Sequence, residues 1–136
     1  LDTRGMKLKT LEVTGAGTET GWTGVYTDVN AVDSTDVTVM SADAADAVQT
    51  FALADLPEAF SGHVHAVVTQ ARGVADGSPG SIQHVLRSGG VNYTGATKAL
   101  DAIGPTMQVW ATDPATGAAW IEGAVNALEA GVKSIA

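Results

Sequence analysis

Apolar side chains in this chain recur at every second position in short runs, and glycine, proline and aspartate separate the runs. A period of two puts alternate residues on opposite faces of an extended backbone, so such runs build sheets with one face in a core. The clearest run is Gly62 to Arg72, with Val64, Ala66 and Val68 on one side and His63, His65, Val67 and Thr69 on the other. Asp76-Gly77-Ser78-Pro79 is a strong turn signal. Ser81 to Ser88 follows with Ile82, His84 and Leu86 on one face, and the two strands are expected to pair as a hairpin.

Other segments read the same way. Lys7 to Val13 alternates near its end, with Leu11 and Val13 opposite Glu12, and Gly15-Ala16-Gly17 and Gly21 punctuate a loop after it. Trp22 to Val29 is a candidate strand carrying Trp22 and Tyr26, and Val37 to Val39 is a short one. Asp28 to Asp36 and Ser41 to Asp46 read as turns and loops. Val48 to Leu53 sets Phe51 and Leu53 on one face, and Asp55-Leu56-Pro57 closes it because proline cannot continue a central ladder. In Met107 to Thr112, Met107, Val109 and Ala111 alternate with Gln108 and Trp110.

The C-terminal part differs. Asp113-Pro114 starts a turn, and Trp120, Ala124 and Leu128, four apart, share one face of a helix from about Ala118 to Ala127. Thr116 or Asp113 is expected to cap that helix. Gly131 breaks its pattern, and Val132 to Ile135 is expected as a last edge strand. The chain is therefore expected to be all-β: a two-sheet antiparallel sandwich, jelly-roll-like, of about eight strands with one short helix near the C-terminus. No βαβ pattern is present. The organisation expected is an N-terminal strand or arm over 1–21, suited to assembly, and one sandwich domain over 22–136.

At 136 residues the chain is the size of one domain and buries enough surface to fold without a staple. Charged residues are scarce, at 16%, which lowers the cost of packing the surface against another protein. The net charge is −8, from 7 Lys+Arg and 15 Asp+Glu, which argues against nucleic acid and against an anionic membrane as partners. With no cysteine, disulfides, thiol nucleophiles and cysteine-based zinc sites are excluded. No apolar run reaches membrane-spanning length, and Leu1 to Thr10 lacks the apolar region of a signal peptide.

Candidate sites each meet a plainer explanation. His63 and His65, with His84 as a third ligand, resemble the metal-holding His-x-His of cupin-type jelly rolls, but no carboxylate follows until Glu122. The plainer reading is a solvated strand face. Asp28, Asp33, Asp36, Asp43 and Asp46 supply oxygens of the kind calcium takes, without EF-hand spacing; turn capping explains them as well. The glycines form neither a dinucleotide nor a phosphate loop, and no Gly-x-Ser-x-Gly elbow occurs. Trp120 is assigned to the core, whereas Trp110 is the better candidate for exposure and so for stacking on a sugar. Asn92-Tyr93-Thr94 matches a glycosylation sequon, to which no weight is given. No catalytic, cofactor-binding or metal-binding residue is assigned, no cofactor is expected, and the chain is not expected to be an enzyme.

One further pattern covers about Trp22 to Lys133. It comprises Val85-Leu-Arg-Ser-Gly-Gly90, Asn92-Tyr-Thr-Gly95, Trp110-Ala-Thr-Asp-Pro-Ala-Thr-Gly-Ala-Ala-Trp120 and Ala124-Val-Asn-Ala-Leu-Glu-Ala-Gly-Val-Lys133, with Phe51 to Pro57 and Ala71-Arg72 upstream. It resembles a family of small tailed-bacteriophage virion proteins with a jelly-roll-like domain. Ile121 departs from it, since the family has threonine after the tryptophan. The resemblance implies a particle-associated protein without catalysis. The expected function is that of a virion structural protein, decorating the capsid, forming a head spike or sitting on the tail. Its expected partners are other virion proteins and further copies of itself. The alternative is a carbohydrate- or receptor-binding module of a tail fibre or spike, with a glycan as partner.

Overall fold

The computed structural model describes residues 7–29, 39–58, 60 and 62–136. The architecture is all-β, as the alternation predicts. The seven strands among the described residues are β1 (Val13–Thr20), β2 (Val48–Leu53), β3 (Val67–Gly73), β4 (Ser81–Ser88), β5 (Val91–Ala99), β6 (Gly104–Trp110) and β7 (Glu129–Ile135). Two short helices join them, α1 (Tyr26–Val29) and α2 (Glu122–Asn126), the second near the C-terminus. The strands form a five-stranded sheet in the order β1-β2-β7-β4-β5 and a two-stranded sheet β3-β6, antiparallel throughout.

Register explains where the core lies. Phe51, Ala130, Leu86 and Tyr93 stand opposite one another across β2, β7, β4 and β5. Side chains in register share a face of a sheet, so this row is the floor of the core. The facing sheet contributes Val67, paired with Trp110. Leu86, Trp110, Trp120, Val125 and Leu128 form the buried cluster between them, with Leu11, Leu53 and Val64 packed at its margin. Both indoles find acceptors, as buried N–H groups must. The Trp120 Nε1 donates to the Trp110 carbonyl at 2.8 Å, and the Trp110 Nε1 donates to the Thr69 hydroxyl at 3.1 Å.

Several local expectations are corrected. The strand foreseen from Gly62 begins only at Val67, pairs with β6 rather than β4, and turns Val67, Thr69 and Ala71 inward instead of Val68. Both neighbours of β4 are already taken, by β5 and β7, so the Asp76–Pro79 turn carries the chain between sheets instead of closing a hairpin. β5 was not foreseen. Its signal is Gly89-Gly90, with φ of +59° and +80°, directly between Ser88 and its partner Val91. Two successive left-handed residues make the turn that fits the twist of a two-residue hairpin.

Trp22 to Val29 is not a strand. Its second half is α1, closed by the Asp28 carboxylate accepting from the Val25 N–H at 2.8 Å, the reach-back of a capping box. Val37 and Thr38 lie outside the described residues, as do most residues of the foreseen Asp28–Asp36 turn; Val39 is in no strand.

The C-terminal helix is shorter than expected and has no side-chain cap; Ile121 is its N-cap residue. Trp120 precedes it in extended chain bridged to Val64. Asp113 instead closes its own turn. Its carboxylate accepts from the Ala115 N–H and the Ser88 hydroxyl, its carbonyl accepts from Gly117 N–H, and Gly117 has φ +71°. β7 is no edge strand: it lies at the centre of the large sheet, hydrogen-bonded to β2 and β4.

Candidate interaction surface

The residues first considered for metal binding are placed apart from that chemistry. His63 and His65 are exposed on the segment before β3, while His84 is buried on β4 with Nε2 2.9 Å from the Thr106 hydroxyl. Among the described residues no three histidine or carboxylate side chains gather as a metal would need. Asp33 and Asp36 lie outside the described residues. Asp28 caps α1, and Asp46 pairs with Lys133 at 2.8 Å.

His84 has a pH consequence. Burial holds its imidazole below the ordinary histidine pKa, and the Lys98 charge pushes the same way. On acidification the unfolded chain therefore takes up this proton before the folded one. The stability that neutral His84 provides is complete above about pH 6.5 and is lost as pH falls through that value toward the lower folded pKa. The slope from this group reaches at most about 1.4 kcal/mol per pH unit. Urea unfolding at pH 7.5 and 5.5 is expected to show a larger loss for the native protein than for His84→Gln. Equal losses would refute the assignment.

A second polar cluster lies across the large sheet. The Glu129 carboxylate accepts from the Thr18 N–H and hydroxyl at 2.8 and 2.7 Å and from the Thr50 hydroxyl at 2.6 Å. Burial raises the Glu129 pKa, but the Thr18 and Thr50 hydrogen bonds and the Arg87 charge outweigh it and leave the carboxyl below its ordinary value. Arg87 and Asn92, paired in register with Glu129 across β4 and β5, extend the row, and Glu19 accepts from Asn92 at 2.8 Å. A Cβ on Gly17 would meet Thr50 Oγ1 at 2.5 Å and Glu129 at 2.6 Å. The glycine thus lets β1 lie close over this row. Both Glu129 oxygens accept from Thr18 or Thr50, so the cluster ties β1 to the sheet.

The outer face of β3-β6 is of another kind. On β6, Thr106, Gln108 and Trp110 turn inward and Met107 and Val109 outward. Met107 is 57% and Val109 58% exposed, and Val68, opposite Val109, is 47% exposed. Gln70 opposite Met107 and Arg72 opposite Pro105 complete the outward rows, and no carboxylate stands in them. Val74 and Ile103, next to the paired Gly73 and Gly104, are exposed as well. The expected exposure of Trp110 is corrected by the same geometry: paired with inward Val67, it is 9% exposed. Trp120 is in the core as expected, and Trp22 is half-buried with its Nε1 donating to the Ala47 carbonyl.

Comparison of the chain with protein-family models, with curated proteins and with solved structures finds no match.

Proposed function

We propose that this chain is a structural protein of a tailed-bacteriophage particle, assembled by protein–protein contacts as a capsid decoration, head spike or tail component, and present as homo-oligomers. The observation that carries this reading is the outward face of β3-β6. Val68, Met107 and Val109 lie in water there without a carboxylate among them, in a chain of net charge −8. Contiguous exposed apolar surface of this kind marks contact with another macromolecule. Arg72 is the one charged residue in those rows, so desolvation of the Val68, Met107 and Val109 patch costs little. The phage setting comes from the sequence resemblance alone.

The alternative, a glycan-binding module of a fibre or spike, would stack sugars on exposed aromatic rings. All three tryptophans are buried or half-buried with satisfied indole N–H groups, and Tyr26 and Tyr93 are half-buried. This favours the structural role.

The test is localisation on purified particles by mass spectrometry and immunolabelled electron microscopy. Label at many copies over head or tail tube is expected. Label confined to the tail tip would transfer the reading to receptor binding, and absence from the particle would overturn it. Val109→Asp is expected to reduce incorporation at least about tenfold while shifting stability by no more than about 1 kcal/mol, because the side chain already lies in water.

A further inference from the structure

The small sheet is held against the large one differently at its two ends. At one end Val67 pairs with Trp110, and Trp110 lies in the buried cluster with Leu86, Trp120 and Leu128. At the other end Gly73 pairs with Gly104. Neither has a side chain to bury, and a Cβ added to Gly104 would meet nothing within 4 Å. Leu100 lies beneath Gly73, 3.7 Å from where a Cβ would stand, and a polar contact lies close by. His84, 1% exposed on the inner face of β4, has Nε2 2.9 Å from the Thr106 hydroxyl of β6. The same hydroxyl donates to the Ala71 carbonyl of β3 at 3.4 Å. One imidazole thus ties β4 to both strands of the small sheet.

The surroundings suit a neutral ring and not a cation. On β7 the residue in register with His84 is Val132. On β5 Lys98 stands in register with Ile82, on the face His84 shares, and its charge acts on the ring. Lys133, next to Val132, turns to the other face and pairs with Asp46, and Arg72, next to Ala71, stands in the outward row of β3. Among the described residues no carboxylate pairs with His84. Burial, and after it the Lys98 charge, holds the His84 pKa below the ordinary histidine value. A buried charge without a counter-ion must lose its proton or reach water. The fold leaves room for the second outcome. Residues 100–103, which link β5 to β6, span up to about 14 Å when extended, more than the usual separation of packed sheets of about 10 Å. The end of the small sheet can therefore part from β4 with both ladders intact.

From this we infer that His84 is an acid-released clasp between the two sheets. Neutral, it holds the Ala71–Thr106 end of the small sheet against β4. Charged, it lets that end part, so that water reaches the ring and Ile82 and Leu100 become accessible, while the tryptophan end stays packed. The closed form has its full advantage while the ring is neutral, above about pH 6.5, and loses it as pH falls through that value. The clasp thus presents apolar surface in mild acid and hides it at neutral pH. It is a property of the purified chain and does not rest on the particle reading.

Native-state hydrogen–deuterium exchange of the full chain at pH 7.5 and 5.5, corrected for the intrinsic pH dependence of exchange and repeated in low urea, tests the clasp. Amides of β3 and β6 near Ala71 and Thr106 are expected to exchange through a separate opening, less protected than β2 and β7 and insensitive to low urea. That opening is expected to grow at least about threefold between the two pH values, within the limit of about tenfold per pH unit for one proton. His84→Gln is expected to abolish the growth. Lys98→Gln is expected to reduce it, because without that charge the closed form bears an imidazolium more readily; this half-buried position keeps the test open if His84→Gln does not fold. A double variant of the exposed His63 and His65, the chain's other two histidines, is expected to keep the full response. One protection and one urea dependence shared by both sheets would overturn the clasp and leave His84 acting through global unfolding alone. A separate opening that does not grow in acid, growth that survives His84→Gln, an undiminished response in Lys98→Gln, or loss of the response in the His63/His65 variant would overturn it as well.

Discussion

Replacing Gly131 by alanine is expected to cost at least about 3 kcal/mol and to leave little folded protein in a modestly stable domain. Gly131 lies at the centre of the large sheet, opposite Thr50 on β2 and Val85 on β4. A Cβ there would overlap the Gln49 carbonyl oxygen and lie 2.7 Å from its carbon and 2.8 Å from the Thr50 Cα. These are backbone atoms of a neighbouring strand, so no side-chain rotation relieves the clash; β2 and β7 would have to part. Two other glycines serve as controls. Around Gly104 and Gly123 an added Cβ meets nothing within 4 Å. Gly104→Ala is expected to be near neutral, and Gly123→Ala, inside α2, to stabilise by about 0.5–1 kcal/mol through helix propensity. Urea midpoints for the three variants check this. A Gly131→Ala midpoint close to the native one would mean that β2 and β7 are not packed at this distance.

Gly131 also shows what a sequence conceals. Its position after an apparent helical repeat suggests a helix breaker, whereas the fold uses its missing side chain for a close approach of strands distant in sequence. Nothing local distinguishes the two roles. By contrast, Val48–Leu53 and Ser81–Ser88 were legible to the residue. Phe51 in one and Ile82, His84 and Leu86 in the other are buried on the expected face, although Thr50 and Val85, of the opposite parity, are buried as well. Gly89-Gly90 carried the hairpin to β5 in plain view, because only left-handed residues make that turn without strain.

The misreadings gather in β3 and β6, and they share one cause. Alternation identifies the buried face only when the other face is polar. On β3, Val67 points inward and Val68 outward; on β6, Trp110 points inward, Met107 and Val109 outward. Both faces mix apolar and polar residues, with Thr69, Thr106 and Gln108 inward and Gln70 and Arg72 outward, so the pattern alone gave Trp110 to solvent and placed Val68 on the wrong side. The property that obscured the parity is the exposed apolar face on which the proposed function rests. Ambiguous alternation in an otherwise legible sandwich is therefore informative: it marks the sheet with a second surface to cover.

Trp120→Ala is expected to destabilise the fold by about 3–5 kcal/mol. Trp120 is 4% exposed and fills the space between the sheets beside Leu86, Val125 and Leu128. It also bridges to Val64 and donates to the Trp110 carbonyl, joining the start of the small sheet to the C-terminal segment. Truncation would open a cavity and leave that carbonyl without its donor. Trp120→Phe separates the two effects. It keeps most of the packing and removes the N–H, so its cost is expected to be about 1–2 kcal/mol. Since Val109→Asp alters only the outward face, the same denaturation experiment should find it nearly native in stability. If Trp120→Ala melts like the native protein, Trp120 does not hold the sheets together, and an inward-facing row ending at Trp110 loses its anchor. If Val109→Asp unfolds as readily as Trp120→Ala, the outward face of β3-β6 belongs to the core, and the surface proposed for assembly does not exist.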